Sequence, residues 1–179
     1  TETVRQHSNM KFKSDSGKAN FVFADWDAVQ TRNDILGPDE SKGELWVLNG
    51  RINAVWNNMS DFIRRQTSAE RWPSNFLEIN PADADERGIV NGDLLSIQSD
   101  DVLDQLGNKH TGGFTAVAYV SDIVPPGVTF TYFLFPGSAA NNVTSADSSI
   151  SPISLRYNFK MGKGSITNLG ASGLADKMS

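Results

Sequence analysis

The chain has 179 residues, a formal net charge of −5 and a pI near 4.9. That size suits one closed core, and the acidic balance argues against a nucleic-acid backbone as partner, which calls for a lysine and arginine surplus. With 39% hydrophobic and 21% charged residues the composition is that of a globular protein, and the lack of any cysteine removes disulfides, thiolate metal sites, iron–sulfur ligation and cysteine nucleophiles.

The two histidines, His7 and His110, stand apart without ligand spacing and read as surface or loop residues. No apolar run approaches the ~20 residues of a membrane span, and no segment reads as a signal peptide. The chain starts at Thr1 instead of Met, which implies a processed, tag-cleaved or excised piece.

Residues 1–30 are expected to be an extended lead-in, with a short strand in FVFADW (21–26). A loop follows in TRNDILGPDESKGE (31–44), which holds Gly37-Pro38. LWVLN (45–49) has the compact apolar character of a buried strand. Ser60 or Asp61 can cap a short helix through DFIRRQ that Pro73 bars from running on.

FLEIN (76–80) alternates as a strand does, and Asn80-Pro81 then opens a helix as N-cap and N1. Asp83 and Asp85 fall in its first turn, where carboxylates suit the helix dipole. Arg87-Gly88 closes it, Asn91-Gly92 turns, and LLSIQS (94–99) leaves as a strand.

Residues 100–113 read as a polar, glycine-rich connection, FTAVAYV (114–120) and VTFTYFLF (128–135) as strands, and SAANNVTSADSSISPIS as a long polar loop. SLRYNFK (154–160) is expected to be the last strand, and 161–179 a flexible C-terminal tail. The pattern predicts a mainly β fold with short helices, a small closed barrel occupying 31–160.

The order of several phrases is more specific than the fold class. SGKANF (16–21), LNGR (48–51), Trp56, FLEINPADADERGI with NGD, PPGVTF (125–130), FLFPG (133–137), AANNVTS (139–145) and SPISLRYNFK follow one another. Together they resemble the C-terminal molybdopterin-dinucleotide-binding domain of the dimethyl-sulfoxide-reductase family of molybdenum and tungsten enzymes. The details of WVLNGR and the length after the last phrase resemble the arsenite-oxidase branch, with iodate reductases close by.

The resemblance implies a six-stranded double-psi β-barrel that lies over a molybdenum bis(molybdopterin guanine dinucleotide) cofactor and clamps its guanine-dinucleotide arms. It implies as partners the remaining domains of a parent catalytic subunit and an iron–sulfur subunit, and a periplasmic home by way of the arsenite-oxidase branch. The metal ligand would lie in other domains, so neither a catalytic residue nor a metal ligand is assigned here. The alternative is a stand-alone double-psi barrel serving as a non-catalytic binding module.

Residue types fit this reading unevenly. A pyrophosphate wants close backbone N–H groups and a cation, which Asn49, Gly50 and Arg51 offer at a strand end. A guanine edge wants a carboxylate or amide acceptor. By resemblance, Asn80 and Asp83 are candidates for it or for the ribose, although each also reads as plain helix punctuation. The resemblance further places Asn141, Asn142 and Thr144 in a loop facing the cofactor, where an Asx turn is the competing reading. It brings Lys160 to a pterin, although RYNFK departs from the commoner Pro-Glu-Phe-Lys pattern. Trp56 is expected to pack under the glycine turn, and Gly92-Asp93 to be turn geometry.

Overall fold

A computed structural model describes residues 7–21, 26–27, 30, 34, 36–52, 64–146 and 160–177. Six strands close into a barrel in the order β1-β5-β2-β4-β3-β6. They are β1 (Glu44–Gly50), β2 (Phe76–Ile79), β3 (Asp93–Leu103), β4 (Lys109–Val120), β5 (Val128–Tyr132) and β6 (Met161–Ala171). Two short helices, α1 (Gln66–Arg71) and α2 (Pro81–Glu86), lie in the connections. The pairs β1–β5 and β2–β4 are parallel among otherwise antiparallel neighbours, which is consistent with the double-psi arrangement.

Alternation decides which side chains fill the barrel. Leu45 and Val47 of β1, Leu77 and Ile79 of β2, Leu95 and Ile97 of β3, and Ala116 and Ala118 of β4 form one buried cluster. A second cluster of Phe76, Val117 and Tyr132, joined by Trp72, Phe130 and Phe133, coats another face of the same sheet. Burying such side chains contributes roughly 1.5–3 kcal/mol each.

The register divides the molecule into two ends. In β1, Trp46 is opposite Val128 and Gly50 opposite Tyr132. In β6, Met161 is opposite Leu48, and in β2, Leu77 is opposite Thr131. The C-termini of β1 and β5 therefore meet the N-termini of β2 and β6 at one end, called here the Asn49 end. At the other, the Asp83 end, β2 runs into α2 beside the start of β5.

Several elements differ from the sequence expectations. The expected flexible tail from 161 is, over Met161–Ala171, the strand that closes the barrel against β1 and β3. Its inward positions include Gly162 and Gly164, so the apolar alternation that advertises a strand is missing. The polar stretch 100–113 is largely strand, since β3 and β4 run on past a bulge between Ser99 and Val102 and leave a short turn.

VTFTYFLF is strand only to Tyr132. Trp26, Asp27, Gln30, Asp34 and Leu36 have helical backbone, and Glu40–Lys42 is a 3-10 turn, where a strand and a loop are expected. Helix α1 starts at Gln66, after Arg64 and Arg65. Ser60, Asp61, Trp56 and SLRYNF (154–159) lie outside the described residues.

Candidate functional site

The seven described candidates other than Asn80 and Asp83 gather around the Asn49 end. Asn49 is 5% exposed and shares the parity of Leu45 and Val47, so its side chain is turned into the barrel. Neither its Nδ2 nor its Oδ1 has a hydrogen-bond partner among the described residues. Its backbone N–H donates to the carbonyl of Lys160 at 3.1 Å, which brings β1's end and the residue before β6 together. The Lys160 ammonium sits 4.2 Å from the centre of the Phe133 ring, a cation–π contact.

Gly50 is crowded in a way the sequence did not disclose. A Cβ there would come within 2.7 Å of the Phe130 ring, so the ring crowds the backbone. Arg51 follows, exposed.

Over the same end lies the 3-10 turn Ala140–Val143. It is wedged so closely that a Cβ on Gly112 would overlap the Asn142 carbonyl and one on Gly162 the Val143 carbonyl. Asn142 donates its amide to Gly113 O at 3.0 Å. Thr144, buried, donates its hydroxyl to Asn141 O at 2.9 Å, and Asn141 is exposed.

Asn80 and Asp83 belong to the other end, and the chain engages both. Asn80 accepts from Ala82 N at 3.0 Å as N-cap and donates Nδ2 to Val124 O at 2.8 Å. Asp83, buried in α2, accepts from the N–H of Gly127 at 2.8 Å. That fastens α2 to the turn before β5. Asp83 also borders a groove of about 700 Å³, lined besides by Glu40, Trp46, Glu86 and Arg87. The arginine is occupied, with Nη1 on Asp83 O at 2.9 Å and Nη2 on Gly43 O at 3.2 Å.

Between the ends, on the outer wall, runs an ion network. Asp101 takes Lys109 at 3.0 Å and Lys42 at 3.1 Å. Lys163 bridges Glu44 at 3.4 Å and Asp101 at 3.8 Å. The hydrogen bonds from Lys109 and then Lys42 lower the Asp101 pKa to about 2. On the β2 wall, burial raises the pKa of Glu78 above the usual carboxylate value.

Sequence reasoning missed Phe133, which carries Lys160, and Asn75, whose buried amide donates to Tyr132 O and Ser138 O at 3.2 Å each. FLFPG was visible as a phrase, but only the fold shows that the backbone N–H of its first residue, Phe133, donates to Gly50 O at 3.2 Å.

The barrel thus ties Asn80 and Asp83 within the chain at one end, and at the other holds a buried amide with no partner among the described residues. A family model described as the molydopterin dinucleotide binding domain matches residues 45–162, and the chain belongs to that family.

It is 33% identical to the iodate reductase subunit IdrA of Pseudomonas sp. (strain SCT), over 95% of this chain and 21% of that protein. Against IdrA of Denitromonas iodatirespirans it is 34% identical, over 90% of this chain and 20% of that one. Against the arsenite oxidase subunit AioA of Herminiimonas arsenicoxydans it is 27% identical, over 79% and 16%. The chain thus spans about a fifth of the length of such relatives. In fold it is similar to acetylene hydratase from Pelobacter acetylenicus, with a TM-score of 0.54 at 12% identity, over 69% of this chain and 18% of that one. No helix among the described residues is long and apolar enough to cross a membrane.

Proposed function

We propose that this domain serves a molybdenum or tungsten oxidoreductase, and that its Asn49 end holds a guanine-dinucleotide arm of a bis(molybdopterin guanine dinucleotide) cofactor. The observation that carries the reading is the family match over 45–162, a range that runs from β1 into β6. The Asn49 end fits such a group. An amide only 5% exposed, with donor and acceptor both unengaged among the described residues, is costly unless something pairs with it.

When bound, the group supplies two-electron redox chemistry at its metal. The residues of this chain bind and orient. Asn49 offers one donor and one acceptor, Arg51 and Lys160 offer cations to phosphate, and the Asn141–Thr144 segment forms a polar cover. Asn80 and Asp83 act at a distance, by holding α2 and the β5 turn.

The relatives' names refer to iodate and arsenite, and redox chemistry on a small oxyanion is our reading for the complete subunit. Iron–sulfur relay centres would be held by other domains or a separate subunit, since this chain has no cysteine. A periplasmic location goes with this reading and rests on the resemblance to the arsenite-oxidase branch alone. The stand-alone binding module is not favoured, because the family model and the relatives all point to the cofactor-bearing class.

The test is the cofactor content of the purified subunit that carries this chain, read as GMP released by mild acid together with molybdenum and tungsten. Guanine nucleotide released in step with metal is expected. Arg51→Ala is expected to lower it, whereas Asp83→Ala is not. Metal without guanine nucleotide would refute the dinucleotide reading.

A further inference from the structure

Ser99 ends the regular part of β3, just before the bulge. It is 2% exposed, and its hydroxyl, turned inward with Leu95 and Ile97, has no partner among the described residues. Beside it is a cavity of about 10 Å³, bordered by Ser99, Asp101, Ser145 and Lys163, with Leu36 and Met161 among its apolar walls.

Buried hydroxyls are rarely left alone, because desolvating one without a partner costs free energy. The cavity is also of the size that admits one water and nothing larger. An ammonium group in the wall, that of Lys163, disfavours a cation.

We propose that this cavity is a binding site for a single internal water, which takes the hydrogen bond of Ser99 and links it to polar groups of the cavity wall. The wall is where three parts of the chain converge. Ser145 Oγ already accepts from Leu103 N at 3.1 Å, so the segment carrying Asn141 and Thr144 is fastened to the far side of the bulge. Asp101 and Lys163 bring in β3 and β6. The water completes that junction from inside and steadies the cover over the Asn49 end. The site does not depend on the cofactor assignment, and its tests need no cofactor.

A crystal structure of the chain at high resolution decides it. Ordered density within hydrogen-bonding distance of Ser99 Oγ, with a second polar contact to the wall, is the expected result. A cavity without density, or a hydroxyl paired directly to protein, would overturn the proposal.

Thermal melts of Ser99→Ala give an independent sign. With the water present, the variant loses a hydrogen bond and melts lower by about 2–4 °C. With a dry cavity, the change removes an orphan hydroxyl, so an unchanged or raised melting temperature counts against the water. Where the two disagree, the density decides.

Discussion

The two ends of the barrel use similar side chains in opposite ways. At the Asp83 end the amides and acids are tied within the chain. Asn80 engages both its amide atoms, and Asn91 accepts from Val120 N at 2.9 Å. Asn168 donates to Gly88 O at 2.7 Å and Asp93 Oδ2 at 2.8 Å. At the Asn49 end a buried amide engages neither atom among the described residues. Residue type and a strand-to-turn setting are common to both, so they cannot tell a capping group from a ligand-binding one. Hydrogen bonding separates them, because a buried amide with no partner calls for a further one, whereas Asn80 has its partners within the chain.

The most damaging test acts on the cover of the Asn49 end. Gly162→Ala places a methyl group on the Val143 carbonyl, and either β6 or the 3-10 turn must move. The expected loss is about 3 kcal/mol, the upper part of the range for overpacking, read from the urea midpoint at unchanged slope. Gly88→Ala, where a Cβ meets nothing within 4 Å but φ is +59°, is expected to cost about 1 kcal/mol, from backbone strain alone. A similar cost for both would mean that the turn does not seat on β6 as described.

A crossed pair of substitutions tests the difference between the ends directly. Asp83→Ala frees the Gly127 N–H and is expected to cost roughly 1–3 kcal/mol, with the cofactor content of the folded subunit unchanged. Asn49→Leu is near in size and removes two unengaged polar atoms, so the chain alone should be as stable or more so. Its subunit should lose guanine nucleotide. Were Asn49→Leu to destabilise the chain by more than about 1 kcal/mol, the amide would be structural after all and the contrast between the ends would fail.

The sequence disclosed the Asp83 end better than the Asn49 end, for physical reasons. Asn80-Pro81 as N-cap and N1 with Asp83 in the first turn is local chemistry, and the helix forms as expected. LWVLN as a compact apolar run, FLEIN by its alternation and LLSIQS after its turn betray their strands. The closing strand β6 does not, because two of its inward positions are glycines. Gly164 faces the Gln98 carbonyl, which a Cβ would meet at 2.8 Å, and Gly162 faces the cover. Its trace in the sequence is the spacing Gly162, Gly164, Ile166 alone.

The outer halves of β3 and β4 escaped notice for the opposite reason. Residues such as Asp100, Lys109 and Thr111 are exposed there, where a polar strand has no apolar face to show. Among the site residues, Asn49-Gly50-Arg51 was readable as a strand end. That Asn80 and Asp83 lie at the far end from it follows only from the pairing of β2 with β5, a contact between distant segments.

The smallest expected effect concerns the ion network that links the arm of β3 to the start of β1 and to β6. The Asp101 pKa, lowered to about 2 by Lys109 and then Lys42, lies below its value in the unfolded chain. The carboxylate therefore stabilises the fold above roughly pH 4, and that contribution is lost as the pH falls toward 2. Because both lysines are largely exposed, the network is worth at most about 1 kcal/mol and is weakened by salt. Replacing Lys42 and Lys109 together by alanine should flatten this part of the stability profile measured between pH 5 and 2, while Asn49→Leu leaves it unaltered. If the double variant kept the full acid-side decline, Asp101 would draw its stabilisation from Lys163 instead. The network would then lean on the closing strand at the Asn49 end, and the wall between the ends could not be treated as separate from it.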